Sequence, residues 1–409
     1  MYIYLFKIKA IMRGFSQSIT FLRESPTRRI DAIRERLKRE KRDIINLSAG
    51  QPGIPPPIEV RSLLAKQLIE ENGMELYGYT PSQGILELRE AISEDLKRLG
   101  SIDVNPDNIV VITGGQEGMF ATFMTILNPG DEVILLDPTY FGYKPIIEYF
   151  GGKVKRLGLS MDDGFKIDVE RLKELITNRT KALVLVSPDN PTGNIINRDT
   201  ARAIADLAVD RDFWVVSDEA YRTLIYEGEH TYMYRYAPDN VISINTFSKD
   251  PGIPGWRLGF IYGPSDAIPK LKLAAEEMTY CPPVIAQKFV AAYLRSEARM
   301  KHMKYIVEEY RSRRDAAIES LRNYLPEARF TVPRGSMFVF ADLSNYIKNS
   351  EKFAEVLLEK YSVTVIPGTY FSDIYKAAIR ISFVVENADR IRLGIRRIHD
   401  AINEYGKSL

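Results

Sequence analysis

Between residues 109 and 262 six short apolar runs rich in β-branched residues recur, each ending in a polar or glycine-rich loop. They are Ile109–Ile112, Val133–Leu136, Leu183–Val186, Phe213–Val216, Val241–Ile244 and Leu258–Tyr262. Helix-compatible segments separate most of them. Runs of this length without polar alternation suit strands buried on both faces, and their alternation with helices predicts an α/β unit built on a largely parallel sheet. After about residue 300 the texture changes. Long charged helical stretches, Lys301 to Leu321 and Ser350 to Lys360, flank short strand candidates at Met337–Phe340 and Ala378–Phe383, the pattern of a second, α+β unit. No internal repeat or low-complexity tract interrupts the chain.

Open parallel sheets bind ligands beyond the carboxyl ends of their strands, so the residues that follow each run carry the chemistry. These are Thr113-Gly114-Gly115-Gln116, Pro138-Thr139-Tyr140, Ser187 through Gly193 (SPDNPTG), Ser217 through Tyr221 (SDEAY) and Thr246-Phe247-Ser248-Lys249. Together they supply an anion-binding turn, an aromatic ring, an amide, a carboxylate and a lysine, which suits an anionic, planar, nitrogen-containing cofactor. Gly114-Gly115-Gln116 opens a helix expected over Gln116 to Leu127, whose first N–H groups would face a phosphate; a plain strand–helix turn is the alternative. Asp218 fits a carboxylate set against a protonated ring nitrogen, with a helix N-cap as the alternative, and Tyr221 three residues on would donate to a ring oxygen. Arg257 follows Lys249 by eight positions across a Pro- and Gly-rich loop, which would return its guanidinium to the phosphate that Thr246 and Ser248 also face. Burial and neighbouring cations would depress the Lys249 pKa and make its amine a nucleophile.

Composition removes competing classes. With 56 basic and 54 acidic residues the formal net charge is only +2, so no global electrostatic attraction to nucleic acid or membrane exists. The three histidines, His230, His302 and His399, lie far apart without metal-ligand spacing, and no G-x-S-x-G elbow is present. The single cysteine, Cys281, excludes an internal disulfide and fits a reducing cytoplasm. The apolar start Met1 to Ile11, interrupted by Lys7 and Lys9, is too short to span a membrane, and Met12 is an alternative start. Residues Arg28 to Arg42 carry a helical stripe of Ile30, Ile33 and Leu37 behind a Ser25-Pro26 start; a solvated amphipathic helix is expected rather than a nucleic-acid arm.

SPDNPTG, then Asp218-Glu219-Ala220-Tyr221, then Ser248-Lys249 with Gly255 through Gly259 (GWRLG), resemble the class I and II aminotransferases of the fold-type I pyridoxal phosphate superfamily, in order and at plausible spacing over roughly residues 25 to 400. The resemblance implies a seven-stranded, mostly parallel sheet flanked by helices. It implies pyridoxal 5′-phosphate as cofactor, with Lys249 as the Schiff-base lysine and proton shuttle. Asp218 would partner the pyridine nitrogen, Asn190 and Tyr221 the ring oxygen, and Tyr140 would stack on the ring. Gly115, Gln116, Thr246, Ser248 and Arg257 would form the phosphate cup. Tyr79 would reach the neighbouring subunit's phosphate, implying a homodimer with shared sites. Arg380 would clamp the substrate α-carboxylate, with Asn190 beside it and Gly50 over it.

The expected reaction is ping-pong transfer of an amino group from an L-amino acid to a 2-oxo acid. No metal, nucleic acid or membrane is expected. The expected division is an N-terminal arm and helix packing on the small domain (1–48), a large cofactor-binding domain (49–295) and a small C-terminal domain (296–409). Many dicarboxylate-using relatives carry lysine where this chain has Gln116, so a preference for aspartate does not follow, and the Ile54-Pro55-Pro56-Pro57 stretch is expected to reshape the entrance. A carbon–sulfur lyase or an aminocyclopropane-carboxylate-synthase-like enzyme would use the same lysine, aspartate and arginine. A ligand-sensing regulator is the third class, disfavoured by the short stretch before Ala49.

Overall fold

The computed structural model describes residues 16–22, 27–70 and 73–406. The expectations placed on Met1 to Met12 and on the Ser25-Pro26 helix start lie outside the described residues.

Seven strands form the main sheet: β1 (Ile109–Ile112), β2 (Glu132–Asp137), β3 (Lys153–Gly158), β4 (Thr180–Val186), β5 (Trp214–Asp218), β6 (Val241–Thr246) and β7 (Gly259–Tyr262). Their spatial order is β1-β7-β6-β5-β4-β2-β3. Only β7 runs antiparallel to its neighbours, β1 on one side and β6 on the other. Six of the seven follow the apolar runs. The seventh, β3, was not among the strands expected, because Lys153, Lys155 and Arg156 break its apolar pattern. It is an edge strand, where charged side chains discourage pairing with another chain. Two of those charges also fasten it inward, Lys155 to Glu132 at 2.7 Å and Arg156 to Asp137 at 3.3 Å.

This topology fixes the site. Strands β1, β2, β4, β5 and β6 are parallel to one another and open their carboxyl ends at one edge. Because β7 is antiparallel, its amino end lies at that same edge, with Gly259 in register with both Thr246 and Ile112. Arg257, two residues earlier, is thereby carried to the phosphate end even though it precedes its strand.

The second unit is an antiparallel sheet in the order 366–367, 378–382, 338–342, 329–330, backed by helices Glu297–Tyr324, Ser350–Tyr361 and Ala388–Tyr405. Ile45–Asn46 pairs with Val363–Thr364, which ties the start of the described chain to this unit. One apolar cluster is continuous across both units, from Val110, Ile112 and Ile244 beneath the main sheet to Phe338, Ile379 and Ile391. The helix Thr27–Arg39 buries Ile30 and Leu37, each worth roughly 1.5–3 kcal/mol, and packs on the Ser350–Tyr361 helix. Arg36 grips Glu359 there at 3.0 Å. No helix among the described residues is long and apolar enough to cross a membrane.

Candidate active site

A cavity of about 700 Å³ opens at the carboxyl edge of the main sheet, against the second unit. Twelve of the thirteen residues singled out from the sequence line it: Gly50, Gly115, Gln116, Tyr140, Asn190, Asp218, Tyr221, Thr246, Ser248, Lys249, Arg257 and Arg380. The thirteenth, Tyr79, does not. It is 86% exposed and stands edge-on to Tyr280, with ring centroids 5.1 Å apart.

Lys249 extends from the loop after β6 and donates from Nζ to the Gly50 carbonyl at 2.5 Å. Its pKa falls to about 8, because burial strips water from the ammonium and Arg380 and Arg257 repel it; Asp218 opposes the shift. Gly50 therefore meets the lysine, and a Cβ on it would also lie 3.9 Å from the Arg380 Nη2.

Asp218 ends β5. No helix follows it, which removes the capping alternative, although its Oδ1 accepts the Ala220 N–H at 3.0 Å. Its Oδ2 accepts the hydroxyl of Tyr143 at 2.7 Å. Burial raises its pKa, while the Tyr143 and Ala220 hydrogen bonds and the Lys249 charge pull it down. Tyr143 is fully buried and edge-on to Tyr140 at 5.3 Å. It escaped the sequence reading. The signal was its place three residues after Tyr140, on the first turn of the helix that leaves β2.

The anion cup gathers at the start of the Gly115–Ile126 helix. Gly114 holds φ +101°, and a Cβ there would come within 2.6 Å of the Arg257 guanidinium, so only glycine lets the two approach. Arg257 itself adopts φ +53°, an unusual backbone state for a side-chain-bearing residue, held by its own Nη1 bond to the Pro254 carbonyl at 3.0 Å. Thr246 Oγ1 and Ser248 Oγ lie 2.8 Å apart beside it. Free helix N–H groups, two hydroxyls and a guanidinium are the donor set that a phosphate monoester dianion requires.

Arg380 lies on the opposite wall, almost fully buried. It donates from Nη1 to Asn190 Oδ1 at 3.0 Å and from Nη2 to the Ser48 carbonyl at 2.8 Å. Its Cζ lies 3.9 Å from the centre of the Phe338 ring. Phe338 is reached because Arg380 is in register with Phe340, and a diagonal neighbour two residues along shares its face. Burial lowers the Arg380 pKa to about 10, and its Nε–H is buried without a hydrogen-bond partner. Asn190 is held by the loop around Asp189, whose carboxylate takes the Thr192 N–H at 2.9 Å.

Ile54 is packed against the main apolar cluster, while Gln51 lines the cavity. One expectation needs correction. The polar face of the helix Thr27–Arg39 is not simply solvated, since Asp31, Arg34 and Lys38 line the cavity. Their spacing of three and four residues, adjacent to the apolar stripe, was the legible sign.

A family model described as aminotransferase class I and II matches residues 42–398. An aspartate/prephenate aminotransferase of Thermus thermophilus is 35% identical over 387 residues, covering 94% of this chain and 98% of that protein. An arginine–pyruvate transaminase of Pseudomonas aeruginosa is 33% identical over 358 residues, 87% of this chain and 89% of that one. The structure of the Thermus thermophilus aspartate aminotransferase with maleate superposes with a TM-score of 0.89 at 34% identity, covering 95% of this chain and all of that chain.

Proposed function

The chain belongs to the class I and II aminotransferases, enzymes that work with pyridoxal phosphate, and from that premise we propose that Lys249 is the residue that binds the cofactor and moves the proton during amino-group transfer. The observation that carries this is Lys249 itself, an amine with its pKa lowered to about 8 at the focus of five strand ends. When bound, the cofactor supplies the electron sink for breaking the α-C–H bond.

The remaining roles follow from the donor set. The Gly115 helix end, Gln116, Thr246, Ser248 and Arg257 hold the phosphate. Tyr140 covers the ring, and Asn190 and Tyr221 face the ring oxygen. Asp218, which accepts the Tyr143 hydroxyl, faces the ring nitrogen. Arg380 takes the α-carboxylate of the amino acid, with its guanidinium oriented by Asn190 and the Ser48 carbonyl. With the cofactor bound, Lys249 Nζ would be the base that takes the α-proton of the amino acid. Ping-pong exchange with a 2-oxo acid returns the protein to its starting state.

Mixing the holoenzyme with single amino acids and following the visible cofactor band tests this reading. Bleaching by at least one L-amino acid, reversed by a 2-oxo acid, is expected; no bleaching by any of them would refute it.

Residues 1–48, 49–295 and 296–409 serve in this reading as an N-terminal arm and helix packing on the small domain, a large cofactor-binding domain and a small C-terminal domain, and the protein works in the cytoplasm. A homodimer is also part of it. Tyr79 stands beside other exposed apolar side chains of its neighbourhood, Met74 and Tyr77, a grouping suited to a partner's surface. Mixed dimers of Tyr79→Ala and Lys249→Ala subunits, compared with each parent, test whether Tyr79 serves the neighbouring site.

A further inference from the structure

Lys249 and Tyr221 meet in the cavity, with the Lys249 Nζ 5.6 Å from the centre of the Tyr221 ring. Each is followed at once by a charged residue, Asp250 after Lys249 and Arg222 after Tyr221. Both of these are buried, yet neither lines the cavity wall.

Behind the cavity the two are joined. Asp250 Oδ1 accepts the Tyr293 hydroxyl at 2.5 Å, and Oδ2 pairs with Arg299 Nη2 at 3.3 Å. Arg299 Nη1 donates to Asp95 Oδ1, and Asp95 Oδ2 takes Arg222 Nη2 at 2.7 Å. Asp95 and Arg299 are wholly buried. The alternating chain Asp250–Arg299–Asp95–Arg222 thus begins beside one site residue and ends beside the other. Its anchors stand on three helices, Asp95 on Leu86–Gly100, Tyr293 on Val284–Arg295 and Arg299 on Glu297–Tyr324.

Taking such charges out of water costs about as much as their pairing returns, so packed apolar side chains would serve stability as well. What the network adds is position. A carboxylate gripped by donors from two helices cannot shift without leaving a buried charge unpaired. Asp250 is not among the charges that move the Lys249 pKa, which are Arg380, Asp218 and Arg257. Its influence on the amine runs through the backbone the two residues share.

We propose that Asp250 is a positioning residue: held by Tyr293 and Arg299, it fixes the backbone that carries Lys249 and keeps the amine confined between the Gly50 carbonyl and the Tyr221 ring. This rests on Lys249 as the cofactor-binding lysine. Without the anchor the side chain regains water, and its pKa climbs from about 8 toward the ordinary 10.5.

The rate at which apo-protein captures pyridoxal phosphate, followed by absorbance as a function of pH, tests the assignment. Asp250→Asn should slow capture about tenfold at neutral pH and converge on wild type in alkali, as the amine pKa rises by about one. Tyr293→Phe removes one grip on Asp250 and should move the profile the same way by less. Affinity for pyridoxamine phosphate, which has no aldehyde for the lysine to take, should stay within about threefold of wild type in both. Arg98 pairs with Asp95 at 2.9 Å rather than with Asp250, so Arg98→Gln should lower the thermal midpoint and leave the pH profile unmoved. An unmoved profile in Asp250→Asn, or in Tyr293→Phe should Asp250→Asn fail to fold, overturns the proposal. An equal loss of pyridoxamine phosphate affinity, or an equal shift in Arg98→Gln, also overturns it and marks Asp250 as a support of the fold alone. Failure of wild type to capture the cofactor, or capture by Lys249→Ala, is a separate result that removes the proposed function itself.

Discussion

Replacing Tyr143 by phenylalanine deletes one hydroxyl and keeps the ring that packs at 5.3 Å against Tyr140, so the change isolates the 2.7 Å hydrogen bond to Asp218. A hydrogen bond to an ionised carboxylate is worth about 1.5–3 kcal/mol. Tyr143 is among the groups that hold the Asp218 pKa down against burial, so its loss moves that pKa upward and disfavours the charged carboxylate. Only the part of the bond that distinguishes ionised from neutral Asp218 reaches the cofactor, about 1–2 kcal/mol, or roughly 5- to 30-fold in affinity. Titrating apo-protein with pyridoxal phosphate by visible absorbance should show that loss for Tyr143→Phe. In an Asp218→Asn background the same change should cost less than about twofold, because no charge remains to be stabilised. An affinity within twofold of wild type, or the same loss in both backgrounds, would refute the coupling.

The proposed role of Arg380 predicts that Arg380→Lys raises the KM for amino-acid donors by about 10- to 100-fold, since an ammonium cannot hold Asn190, the Ser48 carbonyl and a carboxylate in one plane; steady-state kinetics with varied donor measures it. The lowered Lys249 pKa predicts that capture of pyridoxal phosphate by apo-protein accelerates with rising pH and levels off above about 8. The sign for stability is the same. Lysine has pKa 10.5 when unperturbed, so the unfolded chain binds more protons between about pH 8 and that value, and the apo-protein gains stability from this group as pH rises through that interval. Denaturant unfolding of wild type against Lys249→Met across that range should show the difference. Tyr262→Phe removes a buried donor 2.9 Å from both Glu219 oxygens, next to Asp218; thermal unfolding should report a loss of about 1–3 kcal/mol, and an unchanged midpoint would contradict the network's importance.

Much of this architecture was legible because buried parallel strands leave a strong apolar signal and their carboxyl ends carry the chemistry. Strand β3 was not, since Lys153, Lys155 and Arg156 suit an edge position and erase that signal. The site residues that follow strands could be found in order along the chain. Tyr143 could not, because its role depends on a helix turn that brings its hydroxyl back across β2 and β4 to Asp218. Arg34 was hidden for a different reason. A charged residue on an amphipathic helix is usually solvated, and only the packing of Ile30 and Leu37 decides that this face meets the cavity. The bond between Lys249 Nζ and the Gly50 carbonyl was not legible either, being a matter of side-chain reach that sequence does not encode.

The central claim is that Lys249 holds the cofactor covalently. Borohydride reduction of the holoenzyme, followed by proteolysis and mass spectrometry of the peptides, measures this directly. The account predicts the reduced pyridoxyl phosphate group on the peptide containing Ser248-Lys249-Asp250, and no such adduct in Lys249→Ala. Stoichiometric label on another lysine, or an unmodified Lys249 in protein that still binds the cofactor tightly, would contradict it.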